Sequence, residues 1–359
     1  MKIRKKRKKK LPLWAVCFLD ILLTGAILVI FAFFHHVYPR LVAQQELEQL
    51  LQSTEPVQTQ AAPTEATVTE PVVETEAPVE ETTQPTEPDS RTEWQKKFAD
   101  KFTDEVVMTE NSYSSPEVSI TIEKISTMVD GAPVIYYLAD VYIASMDNFA
   151  TYTAYNQIVY YGAQDPVGMT KDTNAIFAVN GDYLTVQKSG FLVRNSNVFV
   201  SDRNNSICVL YPDGTMEGYD QGTYEVEDIL ARDPVQVWSF GPNLLDENGK
   251  AKEEYVASSG VAGVHPRCAV GYYEPGHYCF IVAEGRKNNS VGLRLTQLAQ
   301  IFEELGCQVA YNMDGGASAV MVYDHKRVNT PSNGGRDVGD ILYIRDSYFG
   351  KTAEAQEVE

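Results

Sequence analysis

Between residues 44 and 90 the chain carries no aromatic and no basic residue, only runs such as TEPVQTQAAPTEATVTEPVVETEAPVEETTQPTEP. Such a stretch cannot bury enough apolar surface to offset the entropy of ordering it, so it divides the sequence into parts with different fates. Its prolines and like-charge repulsion favour an extended chain. Residues 38–90 therefore read as a disordered stalk that gives reach to whatever follows.

Ahead of the stalk, residues 2–10 are basic apart from Ile3, and an apolar run follows over residues 11–37. At about 1.5 Å per residue in a helix, this run spans a hydrocarbon core of roughly 30 Å. Trp14 and Tyr38 suit the two interfaces, and the basic flank puts the N-terminus in the cytoplasm. A cleaved signal peptide would have a shorter apolar region ending in small residues. This run closes on Phe33, Phe34, His35 and His36. The expected organisation is a cytoplasmic tail at 1–10, a single-pass anchor at 11–37, the stalk, an extracellular domain at 91–349 and an acidic tail at 350–359. The membrane is thus the first expected partner.

Of the 30 basic and 49 acidic residues, 9 and 12 fall within residues 1–90, leaving 21 against 37 and a net charge of −16 beyond them. That balance excludes nucleic acid as a partner. The remaining length suits one domain, and no second linker or repeat interrupts it.

Apolar alternation and turn signals predict many strands. Residues 118–125 and 133–144 form a hairpin across Asp130-Gly131, and residues 206–211 and 214–219 another. Residues 175–179, 235–240, 308–311 and 319–323 read as further strands, and residues 94–102 as a short lead-in helix. Residues 268–284 form a hairpin turning at Pro275-Gly276, with Cys268 opposite Ala283 and Cys279 opposite Tyr272, too far apart to bridge. Cys208, Cys268, Cys279 and Cys307 all sit in apolar runs and read as free buried thiols. The clearest helix covers residues 296–305, with Leu298, Ile301, Phe302 and Leu305 on one face and Gly306 as its stop. Many strands with few helices give an α+β fold, a single mixed-sheet domain.

Three blocks carry the chemistry. Asn312-Met313-Asp314-Gly315-Gly316-Ala317-Ser318 places an acid at a strand end before two glycines, whose N–H groups could form an anion nest. Asn180-Gly181-Asp182-Tyr183 ends another apolar strand in the same way, so the two strand ends could face one pocket. His265-Pro266-Arg267 and Glu284-Gly285-Arg286 lie at one end of the hairpin, offering guanidinium forks that suit phosphate. Glu284 would be an acid, a base or a salt-bridge partner, and His265 reads as a packing residue. Arg336 follows Asn333-Gly334-Gly335 in a loop. Each block has an ordinary structural reading as a turn or a core residue.

Taken in order with Gly241-Pro-Asn-Leu and Gly292-Leu-Arg-Leu-Thr-Gln-Leu-Ala, these blocks resemble the phosphodiester glycosidase family over roughly residues 118–344. The chain departs from the family pattern at Asp182, Cys268 and Ala317. The resemblance implies hydrolysis of a sugar C1–O bond whose leaving group is a phosphate ester, with an N-acetylglucosamine-like sugar in cell-wall or exopolysaccharide metabolism. Ordinary glycosidases need two carboxylates, one of them to protonate the departing oxygen. A phosphate ester, with a second pKa of about 6, departs readily if arginine meets its charge. Asp314 is then the expected catalytic carboxylate, with Glu284 and Asp182 in reserve. Arg267 is first choice for the phosphate and Arg286 second, with Arg336, Ser318, Gly315 and Gly316 supporting. Asn180, Asp182 and Asn312 would bind sugar hydroxyls or a cation, with Gly181 beside them in the substrate site. No cofactor is required; a calcium ion could sit among the Asp and Asn oxygens, although no EF-hand spacing is present. The competing expectation is a module that binds an anionic glycan without cleaving it.

Overall fold

The structure is a computed structural model and describes residues 91–157, 162–186, 190–200, 205–255 and 259–350. The chain separates into two compact units, Met1–Ser90 and Arg91–Glu359, and the described architecture belongs to the second. The basic tail, the apolar run at 11–37, the stalk and the acidic segment beyond Gly350 lie outside the described residues. Among the described residues, no helix is long and apolar enough to cross a membrane.

Along the chain the first strands are β1 (Val107–Met108), β2 (Ser112–Ser114), β3 (Val118–Val129), β4 (Ala132–Ile143), β5 (Phe149–Thr153) and β6 (Ala175–Asn180). Next come β7 (Leu192–Arg194), β8 (Asn197–Val200), β9 (Ile207–Leu210), β10 (Met216–Tyr219) and β11 (Gln236–Trp238). The last are β12 (Arg267–Glu274), β13 (His277–Ala283), β14 (Val309–Asn312), β15 (Met321–Tyr323), β16 (Lys326–Arg327) and β17 (Asp340–Arg345). They form a seven-stranded sheet in the order β1-β2-β3-β4-β13-β12-β14 and two five-stranded sheets, β10-β9-β11-β7-β8 and β16-β15-β6-β17-β5. The pairings within all three sheets run antiparallel. The helices are short: α1 (Glu93–Lys97), α2 (Pro166–Asp172), α3 (Val226–Leu230), α4 (Ser259–Ala262) and α5 (Leu295–Glu304). This is an α+β domain dominated by sheet.

The β12–β13 hairpin is buried on both faces. Val270, Tyr272, Tyr278, Phe280 and Val282 point into a core shared with the two smaller sheets. Ala269, Cys279, Ile281 and Ala283 point the other way, onto α5 through Leu298 and Phe302. A strand with both faces covered loses the polar half of its alternation, which is why this hairpin reads as a nearly unbroken apolar run. Gly271 is needed where the helix crosses, because a Cβ there would lie 2.7 Å from Phe302 and from the Cys279 sulfur. Burying Phe302 alone contributes about 1.5–3 kcal/mol.

The hairpin register differs from expectation by one residue: Cys268 pairs with Val282 and Gly271 with Cys279. The turn does start as expected, with Glu274 opposite His277, but the ladder slips between Tyr272 and Glu274. Tyr273 is an extra residue there, a β-bulge that turn chemistry does not announce. The four described cysteines are free and buried.

Asp130 and Gly131 both take positive φ, as a two-residue turn requires, and carry β3 into β4 over 12 residues each. Helix α1 is shorter than the predicted 94–102 segment. Thr92 and Gln95 cap it reciprocally, and its Trp94 ring packs on the turns at Gly214 and Gly276. Strands β1, β2, β5, β7, β8, β16 and β17 and helices α2, α3 and α4 were not anticipated; most are too short to show a period.

Candidate active site

The ends of β6 and β14 belong to different sheets, yet they meet. The Asp314 N–H donates to the Gly181 carbonyl at 3.1 Å. The Asn180 side-chain amide donates to the Asp314 carbonyl at 2.6 Å, and its oxygen accepts from Val320 N–H at 3.1 Å. Asn180 is therefore a clamp between two strand ends. Asn312 acts similarly, donating to the Gly241 carbonyl at 2.8 Å before the cis Gly241–Pro242 bond. Both asparagines are buried, so neither presents its amide to solvent.

The Asp-Gly-Gly turn packs against the His-Pro-Arg block. Gly316 donates its N–H to the Pro266 carbonyl at 3.0 Å, and a Cβ on Gly315 would lie 2.6 Å from that same oxygen. Gly316 sits at φ +65°, which favours glycine. The Gly315 N–H faces the Asp314 carboxyl. The predicted anion nest is thus not open: one amide is held by Pro266 and the other faces the Asp314 carboxyl.

What the turn does create is a cleft of about 230 Å³, lined by Asp314, Gly315, Gly316, Ala317, His265, Pro266, Arg267, Arg286, Arg336, Tyr183, Phe240 and Val261. Grooves of about 410 and 610 Å³ exist elsewhere, lined by Asp346 and Asn174 and by Tyr323 and Arg327. Chemistry rather than size selects the smaller one, because it gathers an acid, a histidine and three arginines.

Asp314 is held by Arg336, whose NH2 donates to Oδ2 at 2.7 Å and whose Nε donates to the Ser318 hydroxyl oxygen at 2.5 Å. Burial raises the Asp314 carboxyl above the usual carboxylate range, while the Ser318 hydrogen bond and the Arg336 charge oppose that rise. The Arg336 guanidinium also lies over the Tyr183 ring, 4.8 Å from its centroid. Arg286 takes a left-handed backbone, φ +59°, a strained conformation for a residue with a side chain. Its guanidinium lies beside Gly316 and 3.4 Å from the His265 ring.

Three residues expected in the chemistry are turned elsewhere. Asp182 accepts from Ser239 and Phe240 N–H groups at 3.0 Å and pairs with Arg194 at 2.8 Å. It thereby fixes the segment that brings Phe240 to the cleft. Glu284 accepts from Thr330 N–H at 2.7 Å and pairs with Lys287 at 3.0 Å, outside the cleft lining. Arg267 lies on the cleft floor, but its Nε donates to the Leu293 carbonyl at 2.8 Å and its NH2 to the Gly263 carbonyl. Burial pushes this guanidinium down to about 10, so it stays charged at neutral pH. Arg267 adds positive potential to the floor while its fork is already engaged.

The sequence left four contributors unassigned. Tyr183 and Phe240 line the cleft, while Arg194 and Asp340 lie beneath it. Arg194 reaches both Asp182 and Asp340, at 2.8 and 2.7 Å, with all three side chains out of solvent. A Cβ on Gly181 would lie 2.7 Å from the Asp340 carboxyl, which explains the glycine there. No local signal marks such a triad, because its members come from the loop after β6 and from β7 and β17. Among the described residues, no group of three or more His, Cys, Asp or Glu side chains could hold a metal ion.

Comparisons with known proteins show what the chain and its fold are similar to. The chain is 25% identical over 213 residues to the SPbeta prophage-derived uncharacterized protein YomE of Bacillus subtilis (strain 168), matching 55% of this chain and 33% of that protein. It thus spans about a third of that relative's length. Its fold resembles the zebrafish N-acetylglucosamine-1-phosphodiester alpha-N-acetylglucosaminidase catalytic domain, solved auto-inhibited by its pro-peptide (TM-score 0.55, 19% identity, 67% of this chain and 88% of that one). It also resembles a hypothetical protein from Synechocystis (TM-score 0.51, 14% identity, 64% of this chain and 63% of that one). The phosphodiester glycosidase family model matches residues 173–345, which begins after β3 and β4 although these pair into the same sheet as β13. Through residues 173–345 the chain carries a domain of the phosphodiester glycosidase family.

Proposed function

We propose that this protein hydrolyses the C1–O bond of a sugar-1-phosphodiester. It would do so outside the cell, held in the membrane by residues 11–37 and carried outward by the stalk. The observation that carries the reading is one buried carboxylate sharing a small cleft with arginines. Asp314 faces Arg336 at 2.7 Å, with the Arg286 guanidinium beside Gly316. A phosphate leaving group needs its charge met more than it needs a proton, so one carboxylate with an arginine clamp is a sufficient set. Asp314, held by Arg336, then stabilises the oxocarbenium-like transition state, Arg286 holds the phosphate, and Arg267 and Arg336 strengthen the field around it. Tyr183 and Phe240 offer ring faces to the sugar.

A cleft of about 230 Å³ suits one sugar with its phosphate. An N-acetylglucosamine-type end unit of a wall or exopolysaccharide polymer fits that description. The net charge of −16 beyond residue 90 opposes long-range attraction of such a substrate, so the arginines must act locally.

The test incubates the purified protein and its Asp314→Ala variant with an N-acetylglucosamine-alpha-1-phosphodiester, followed by phosphorus NMR and free-sugar release. Sugar and phosphomonoester from the parent, with none from a folded variant, is the expected result. Inactivity of the parent across several sugars, with or without calcium, would overturn the reading in favour of a glycan-binding module.

A further inference from the structure

The proposed hydrolysis must also place a proton. Water adds its oxygen to C1, the C1–O bond breaks with its electron pair going to the phosphate oxygen, and the proton of the water must go to a base. Among the cleft-lining residues, Asp314 and His265 have side chains able to accept a proton near neutral pH. Asp314 is engaged by Arg336 and Ser318 in a role that requires it to remain charged.

The position of His265 is fixed by main chain rather than by packing alone. Its N–H and carbonyl pair with Leu293 at 3.2 and 2.9 Å. Gly292 approaches so closely that a Cβ there would lie 2.4 Å from the His265 carbonyl oxygen, and a Cβ on Gly285 would lie 2.8 Å from Pro266 N. Two glycines therefore allow the 285–293 segment to close on the His265-Pro266 backbone. The same segment carries Arg286, whose N–H donates to the Val291 carbonyl at 3.1 Å. The Arg286 NH2 stands 3.4 Å from His265 Nδ1, a long contact beside the roughly 2.7–2.9 Å of a guanidinium on an anionic oxygen.

We propose that His265 is the general base of the reaction, and that the phosphate of the substrate releases it by drawing the Arg286 guanidinium away from Nδ1. This rests on the phosphodiester glycosidase reading. Before substrate arrives, the cation beside the ring holds Nδ1 as an acceptor and so keeps the imidazole in its basic form. When phosphate binds, Arg286 turns to the stronger acceptor and the Nδ1 lone pair is offered to water. The Arg286 guanidinium is in contact with the ring, and Arg267, Arg336 and Asp314 line the same cleft.

The experiment measures kcat and KM against pH for the parent, His265→Ala, His265→Asn and Arg286→Gln on a substrate that the parent cleaves, with circular dichroism as the check on folding. A missing general base lowers kcat by about 10²–10⁴-fold. KM should stay within about threefold for the histidine variants, while Arg286→Gln should chiefly raise KM. The acid limb of the parent, set by protonation of the imidazole, should move to lower pH in both histidine variants. Added imidazole should restore part of the His265→Ala rate and leave the parent unchanged. Variants within about threefold of parent kcat with an unmoved acid limb would overturn the assignment while leaving the hydrolase intact. Loss of kcat with no shift of the limb and no rescue would mark His265 as structural and also overturn it. A parent that cleaves nothing would remove both readings together.

Discussion

Replacing Arg194 by Met should be among the most damaging single changes in the domain, and its cost should depend on pH. The Arg194 side chain is 2% exposed, and the carboxylates of Asp182 and Asp340 that it joins are both 0% exposed. Removing one partner of a buried ion pair costs about 3–5 kcal/mol, because the other charge is left buried. Here two are left. Asp182 keeps the Ser239 and Phe240 amides, whereas Asp340 loses the donors to Oδ2 and already lacks a partner at Oδ1. The Asp340 carboxyl already lies well above the usual range, raised by burial against the opposing pull of Arg194. Without the arginine it must rise further. A carboxyl raised in the folded state holds a proton that the unfolded chain releases, so stability is present at low pH and declines as pH climbs toward the folded-state value. The penalty of the substitution should therefore be larger at about pH 8 than at about pH 5. Guanidinium denaturation followed by Trp238 fluorescence measures it at both. With a slope of about 4–6 kcal/mol/M, a loss near 4 kcal/mol moves the midpoint by roughly 0.7–1 M. Adding Asp340→Asn to the variant should recover a good part of the loss at the higher pH. A penalty under about 1 kcal/mol at both values, or a larger one at pH 5, would refute this account.

Further outcomes follow from the same contacts. Arg336→Gln removes the cation from Asp314, so the carboxyl should titrate higher. The rise is readable by carboxyl-carbon NMR, and an unmoved or lowered titration would count against the contact. Glu284→Gln should lower stability by about 1 kcal/mol through the lost Lys287 pair, and should leave kcat/KM within about threefold, since Glu284 lies outside the cleft lining. Cys208, Cys268 and Cys279 are pushed far above the ordinary thiol range by burial, so a thiol reagent should leave them unmodified until denaturant is added.

Much of the sheet was legible because β3, β4, β12 and β13 are long enough to display their pattern and their turns use Asp-Gly and Pro-Gly. Helix α5 was legible for the same reason, with its apolar face and its glycine stop. The blocks that form the cleft were also visible, since acids and glycines at strand ends stand out against apolar runs. What each block does was harder to read. Arg267 and Arg286 look alike as letters at the same end of one hairpin, yet two carbonyl oxygens capture the first and a left-handed backbone turns the second toward the cleft. Asp182 and Asp314 both follow apolar strands, and only the distant Arg194 and Asp340 decide that one is structural. Such partners lie more than a hundred residues apart in some cases and leave no local trace. The bulge at Tyr273, which moves the hairpin register by one, is equally silent.

The seat of Trp94 on the turns at Gly214 and Gly276 gives the domain a polarity. The chain enters at the closed end of the β12–β13 hairpin, whereas His265, Arg267 and Arg286 stand at its open end, about 24 Å away along seven residues of strand. A force or a tether acting through the N-terminus would therefore grip the pole opposite the cleft.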